Sequence, residues 1–252
     1  MSLLERRIPG RPYLIAHRGN SAELPENSLP AFRRAVEDGA DIVETDVRVS
    51  ADGVFVLIHD PTLERTTDGS GRVEAQTFAQ LRERRLLGNP DGMHRIPTLE
   101  EMAEAIPPPV VLALELKARE FRSEEICRTL AAEIVRLGIA DRSLILSAYR
   151  RHLEAWRSAA PEIPVGLVSW GAPFPPRGVE LLGPPWPVLA LNPLYVWMAH
   201  RRGQLVCPLD PHPDGRLAWY LRAGCDAVLS DAPGVTRERI AACRRSSSAM
   251  TS

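Results

Sequence analysis

Cysteine is scarce and scattered: four residues in 252, at positions 127, 207, 225 and 243, with no CxxC pair. That spacing argues against a structural zinc site or a disulfide framework and for reduced, packed thiols. A surplus of either charge is also missing, since 31 basic residues meet 32 acidic ones for a formal charge of −1. Proteins that hold nucleic acid by neutralising phosphates usually carry a basic surplus, so nucleic acid is not an expected partner. No apolar run approaches the roughly 20 residues needed to cross a bilayer. None near the N-terminus has the reach of a signal-peptide core, so a cytoplasmic location is expected.

What is present is an ordinary globular balance, 44% hydrophobic and 25% charged. Short β-branched runs alternate with longer segments of helical period, the pattern of a parallel α/β fold. Predicted strands are Tyr13–Ala16, Asp41–Val47, Val54–Ile58, Val110–Leu116, Ser143–Ser147, Val165–Val168, Val188–Leu191, Leu205–Pro208 and Ala227–Leu229. These are nine, one more than an eight-stranded barrel holds. Parallel neighbours need a crossover of about a dozen residues or more, whereas Ser50-Ala51-Asp52-Gly53 reads as a tight hairpin turn. Val54–Ile58 is therefore a return strand. The other eight predict a single (β/α)8 barrel domain over residues 1–252, with a small insertion after the second strand at about 60–97. Proline-rich stretches at 107–109 and 173–187 are expected to be loops, and Ser246–Ser252 to be frayed.

The chemistry concentrates at strand ends. In Ile42-Val43-Glu44-Thr45-Asp46-Val47, alternation puts Glu44 and Asp46 on one face and the valines on the other. In a barrel the apolar set faces the helices, leaving two carboxylates inward, where like charges demand a cation or raised pKa values. Glu115 and Lys117 interrupt a run of leucines in the same way. The C-terminal ends of barrel strands build active sites, and three carboxylates from two strands form an oxygen-rich set suited to Mg²⁺ or Ca²⁺. His17-Arg18-Gly19 follows the first strand; Arg18 offers a planar fork for phosphate oxygens, and Gly19 lets backbone approach a ligand. With Ala51 and Asp52 as the turn, facing positions sum to 103, which places His59 opposite Glu44; a bulge at Gly53 would shift this by one and still return His59 to the level of Glu44 and Asp46. Two histidines, three carboxylates, an arginine and a lysine thus converge on one end of one barrel.

The chain resembles the glycerophosphodiester phosphodiesterases. The matching text is His17-Arg18-Gly19, Pro25-Glu26-Asn27-Ser28, Gly39-Ala40-Asp41, Glu44-Thr45-Asp46-Val47, Asp52-Gly53, His59-Asp60, Arg65-Thr66-Thr67, Pro97-Thr98-Leu99 and Glu115-Leu116-Lys117, with a looser match at Ser230-Asp231-Ala232-Pro233. The resemblance implies a TIM barrel that hydrolyses glycerophosphodiesters, small-molecule substrates, to glycerol 3-phosphate and an alcohol. It implies Glu44, Asp46 and Glu115 as ligands of a divalent metal, His17 and His59 as the acid–base pair, and Arg18 and Lys117 as phosphate-holding groups. The sequence does not distinguish the acid from the base, and His59 is taken as the acid.

Two positions depart from the family pattern: Cys207 stands where an aromatic residue is usual, and Ala148 where phenylalanine is frequent. A pocket widened at Cys207 is expected unless Trp170, Trp197 or Tyr149 fills it. Two other readings compete. One is phospholipase D-like hydrolysis of lysophospholipids, which long apolar grooves near Trp170, Phe174 and Trp186 would favour. The other is a headgroup-binding barrel without turnover, which would need no acid–base pair.

Overall fold

Strands and helices alternate as the periodicity requires. In chain order they are β1 (Tyr13–Ala16), α1 (Leu29–Glu37), β2 (Ile42–Val49), β3 (Phe55–Leu57), α2 (Phe78–Arg82), α3 (Leu99–Ala105), β4 (Val111–Leu116), α4 (Glu124–Arg136), β5 (Ser143–Ser147), α5 (Arg150–Ala159), β6 (Val165–Val168), β7 (Leu181–Gly183), α6 (Trp186–Leu191), α7 (Tyr195–His200), β8 (Leu205–Val206), α8 (Leu217–Arg222), β9 (Ala227–Ser230) and α9 (Pro233–Ala249). The computed structural model describes residues 11–88, 92–168 and 171–249. Among these no helix is long and apolar enough to cross a membrane.

Eight strands pair in parallel in the order β8-β7-β6-β5-β4-β2-β1-β9, and β3 lies off this path, antiparallel to β2. The seam between β8 and β9 is drawn together by the Asp226 N–H, which donates to Val206 O at 2.9 Å, and by Asp226 Oδ2, which accepts from the Val206 N–H at 2.8 Å. A nearly closed (β/α)8 barrel results.

Two layers of core fix the direction of the side chains. Val43, Val47, Leu112, Leu114 and Leu116 face outward and pack beneath α1, α3 and α4 with Phe32, Met102 and Ile134. Ile15, Ile42, Val111, Ala113, Leu144 and Leu146 face inward and fill the barrel interior. Period-two alternation then sends Glu44, Asp46 and Glu115 inward as well, above that apolar plug. The β2–β4 register sets Asp46 directly beside Glu115.

The hairpin differs from the expected register by one. The loop has three residues, Ala51–Gly53: the Ser50 N–H donates to Val54 O at 2.9 Å, and Gly53 adopts a left-handed φ of +83°. A left-handed glycine closing a three-residue hairpin adds a bulge. Val47 therefore faces Leu57, facing positions sum to 104, and Asp46 meets Ile58, whose backbone N–H donates to Asp46 O at 3.0 Å, where the expected sum gave it Leu57. His59 still returns to the level of the carboxylates.

Two further expectations are corrected on the sixth repeat of the barrel. Val188–Leu191 is part of helix α6, not a strand, and the strand is Leu181–Gly183, inside a stretch expected to be loop. Pro187 sits in the first turn of α6, where its missing N–H leaves no bond unmade. The apolar run after it closes a helical turn whose inner side is Leu189. Residues 246–249, expected to fray, instead continue α9 to Ala249; residues 250–252 lie outside the described residues.

The excursion between β3 and β4 has a small core of its own, in which Val56, Ile58, Leu63, Val73, Leu81 and Ile96 are fully buried or nearly so. Asp52 in the hairpin turn caps α2, accepting from the Phe78 N–H at 2.8 Å. The excursion is thereby anchored against the strand that carries His59.

Candidate active site

The carboxylates stand first because the strands aim them. Glu44, Asp46 and Glu115 are all buried, and one oxygen from each lies within 4.8 Å of the others. Such a set is unstable without cations. Two are built in. Lys117 Nζ lies 2.8 Å from Glu115 Oε1 and 3.4 Å from Asp46 Oδ1; it is the chain's single lysine. Arg18 Nε lies 3.2 Å from Asp46 Oδ2, and the Arg18 backbone N–H donates to Glu44 Oε2 at 2.9 Å.

That backbone contact depends on an unusual turn. Arg18 has φ +58° and Gly19 φ +82°. A Cβ on Gly19 would lie 2.6 Å from the carbonyl carbon of Ala31, so only glycine lets the loop sit against α1. Asn27, also left-handed at φ +55°, completes the frame. Its Nδ2 donates to Asp46 Oδ2 at 2.8 Å and its Oδ1 accepts from Thr45 Oγ1 at 2.7 Å.

The three acids do not share one environment. Burial and the neighbouring Asp46 charge push the Glu44 carboxyl above the usual carboxylate range. Burial would raise Asp46 too, but Lys117 and Arg18 outweigh it and hold that carboxylate low. Glu44 Oε1 is buried without a hydrogen-bond partner, and Asp46 Oδ1, which also accepts no hydrogen bond, has only the Lys117 ammonium at 3.4 Å. Orphaned acceptors inside a carboxylate cluster are costly, and a hard cation is the partner their chemistry fits.

Each histidine is held by a carboxylate on Nδ1. His17 Nδ1 lies 2.7 Å from Asp231 Oδ1, which also accepts from Ser21 Oγ at 3.1 Å. Burial alone would lower the His17 pKa, yet the Asp231 bond and the Glu44 charge overcome it and the net shift is upward. His59 Nδ1 lies 2.6 Å from Asp60 Oδ1, but here burial prevails and the pKa falls. Asp60 is itself pinned by Arg65, whose Nε donates to Asp60 Oδ2 at 2.6 Å and whose Nη atoms donate to Glu26 at 2.8 Å. Arg65 holds Asp60 down to about 2. Arg18 Nη1 donates to Glu26 Oε1 at 3.0 Å, so a continuous chain of ion pairs runs from Asp46 to Asp60, which holds His59.

All seven residues singled out in the sequence thus meet at one end of the barrel. Asn27, Glu26, Asp60, Arg65 and Asp231 join them without having been assigned roles. All five stood within the matching motifs, but single-strand alternation carries no sign of a partner that arrives from a loop.

A narrow cavity of about 50 Å³ opens beside the cluster, lined by His17, Glu44, Glu115, Cys207 and leucines 146, 167, 181, 209 and 229. Cys207 therefore does face the site. Neither Trp197 nor Tyr149 fills the space beside it, since both are more than half exposed, and Trp170 lies outside the described residues. Leucines close it instead.

Comparison with known proteins places this geometry. Residues 17–235 match the model of the glycerophosphoryl diester phosphodiesterase family. A glycerophosphodiester phosphodiesterase of Caldanaerobacter subterraneus is 30% identical over 231 residues, covering 87% of this chain and 94% of that protein. The solved structure of an Oleispira antarctica phosphodiesterase in complex with the product sn-glycerol-3-phosphate superposes with a TM-score of 0.79 at 28% identity, covering 93% of this chain and 97% of that one. The Agrobacterium tumefaciens glycerophosphodiester phosphodiesterase shares the fold, with a TM-score of 0.78 at 24% identity over 89% of this chain and 98% of that one. The match spans nearly the whole barrel and every carboxylate, histidine and cation described above, and the chain belongs to the glycerophosphoryl diester phosphodiesterase family.

Proposed function

We propose that this chain is a divalent-metal-dependent hydrolase that converts glycerophosphodiesters to glycerol 3-phosphate and an alcohol. One observation carries the reading: a buried carboxylate triad with two oxygens that accept no hydrogen bond stands beside two histidines, each oriented by its own aspartate. With all three carboxylates ionised, as metal binding requires, Arg18 and Lys117 leave one negative charge. A divalent cation held by Glu44, Asp46 and Glu115 would reverse that sign and so complement a phosphodiester anion. Mg²⁺ and Ca²⁺ are the candidates by donor chemistry, and the bound ion would supply Lewis acidity at a phosphoryl oxygen.

The chain's own groups do the rest. Arg18 and Lys117 offset charge on the phosphoryl oxygens as it builds. An ionised aspartate is acceptor-only, so Asp231 and Asp60 each require the proton on Nδ1 of their histidine and leave Nε2 for the substrate. His17, with its raised pKa, is the proton donor to the leaving oxygen. His59, with its lowered pKa, is neutral and takes the proton from the attacking oxygen. A headgroup binder without turnover would have no use for two such pairs.

Turnover of glycerophosphocholine and glycerophosphoethanolamine, assayed beside lysophosphatidylcholine with Mg²⁺ and with Ca²⁺, tests the reading. Release of glycerol 3-phosphate is the expected result. Hydrolysis of the lysophospholipid alone would transfer the site to the lipid substrate, and turnover of neither would leave only the fold.

A further inference from the structure

The outer ring of helices carries an apolar face that the hydrolytic chemistry does not use. Among the described residues, ten large hydrophobic side chains are exposed, and five of them fall between positions 174 and 197: Phe174, Trp186, Leu191, Leu194 and Trp197. Leu191 is 87% exposed. An apolar cluster left in water on this scale marks an interaction surface rather than scatter.

Hydrogen bonds gather Phe174, Leu191, Leu194 and Trp197, while the Trp186 ring lies under the Arg216 guanidinium, 5.1 Å away, at the start of α8. Asn192 Nδ2 donates to Pro173 O at 2.9 Å and Arg202 Nη1 donates to Pro175 O, so the loop bearing Phe174 lies against both ends of α7. Leu194, Trp197 and Arg201 follow at intervals of three and four, which places them on one stripe of that helix. Beside it, Leu189, Pro193, Val196, Trp219 and Arg222 line a groove between the α6–α7 pair and α8.

The charge on this face has one sign. From Leu181 through Leu209 and across α8 the chain contains no aspartate or glutamate, and Asp210 and Asp214, between them, are taken by Arg216 and Arg239. Glu180, at its edge, is taken by Arg157 Nη2 at 3.0 Å and by the Val165 N–H at 2.8 Å. Among the described residues neither Arg201 nor Arg222 has a carboxylate within ion-pair distance. A second copy of the chain is therefore the wrong occupant. A twofold interface lays one patch on itself, and here that would set arginine against arginine with no acid to answer.

Indole rings, exposed leucines and unpaired guanidinium groups together fit the headgroup level of a bilayer, where tryptophan lodges and arginine meets lipid phosphate. We propose that the face formed by α6, α7 and α8 docks on the surface of a lipid bilayer containing anionic lipid. Trp186 opens α6 three residues after Gly183, which lines the cavity with His17 and Glu115. Docking there brings the barrel mouth beside the membrane, where phosphodiesters derived from lipids are released.

Co-sedimentation with vesicles of phosphatidylcholine alone, and with one quarter phosphatidylglycerol, tests this on the full chain. Binding to the anionic vesicles is expected, with a blue shift of tryptophan emission and loss of binding in 0.5 M NaCl. L191E/W197E should lower the bound fraction tenfold or more, and R201E/R222E by a similar factor. Both variants should keep the wild-type melting temperature and the wild-type turnover of a soluble glycerophosphodiester, so a failure of the hydrolytic reading would be seen separately. A wild-type chain that stays in the supernatant with both vesicles overturns the proposal. So does binding that both variants retain, or a dimer in solution that L191E/W197E converts to monomer.

Discussion

Asp231 Oδ1 lies 2.7 Å from His17 Nδ1 although 214 residues separate them in the chain. The contact exists because β9 pairs with β1 as the barrel closes, Ser230 facing Ala16, which sets the residue after each strand beside the other. Closure of the barrel and orientation of the histidine are one event. Asp231→Asn keeps the shape but can no longer demand the proton on Nδ1. It should lower turnover roughly 10-fold to 10²-fold. The Asp231 bond also raises the His17 pKa. If protonated His17 is the acid, removing that bond moves the alkaline limb of the kcat–pH profile to lower pH. An unchanged profile with normal turnover would make Asp231 a structural tie only.

The metal assignment has its own test. Exhaustive chelation should abolish turnover, and Mg²⁺ or Ca²⁺ should restore it. Binding only the folded state, the ion should also raise the melting temperature, with a gain of about 2.7 kcal/mol at a hundredfold excess over Kd. Glu44→Gln should remove both effects while leaving the circular dichroism unchanged. Full activity after chelation and dialysis would refute the assignment.

The division of labour between the histidines can be read from leaving groups. His17→Ala and His59→Ala should each lose roughly 10²-fold in turnover. A substrate whose alcohol has a low pKa needs no proton donor, so it should rescue His17→Ala more than His59→Ala. Rescue confined to His59→Ala would reverse the roles.

Buried thiols set a limit at high pH. Burial pushes Cys127 up to about 11 and Cys225 up to about 12, against about 8.5 in an unfolded chain. The unfolded state therefore ionises first as pH rises. The stability these thiols contribute is whole below about 8.5 and is lost through the interval up to the folded values, at about 1.4 kcal/mol per thiol per pH unit. Denaturant midpoints at pH 8 and pH 10 should show the fall. In the native protein at pH 8.5, iodoacetamide should leave both residues unmodified over hours; rapid alkylation of either would contradict their burial.

Most of the site was legible because strands announce their faces. Glu44, Asp46 and Glu115 each break an apolar alternation, and no strand buries such residues idly. What escaped was carried by contacts across the chain. Arg65 leaves the excursion to reach Glu26 and Asp60, and its letter in the sequence carries no trace of either. Gly53 shifted the hairpin register by one because a three-residue turn and a two-residue turn are written with the same letters. Strand β7 was missed for its size: Leu181–Gly183, followed at once by prolines 184 and 185, is too short for alternation to show.

Lys117 closes the barrel mouth as the chain's single lysine, locked between Glu115 and Asp46 with its pKa raised. To an amine-directed reagent the rest of the folded surface is nearly invisible, because arginine carries every other side-chain cation except histidine. Acylating labels, aldehyde fixatives and activated resins would address the chain's amino terminus and otherwise only this ammonium, which is protonated and screened by its carboxylates. The rate at which Lys117 takes up such a label becomes a gauge of the site itself: slow while the ion pairs hold, faster once they are broken.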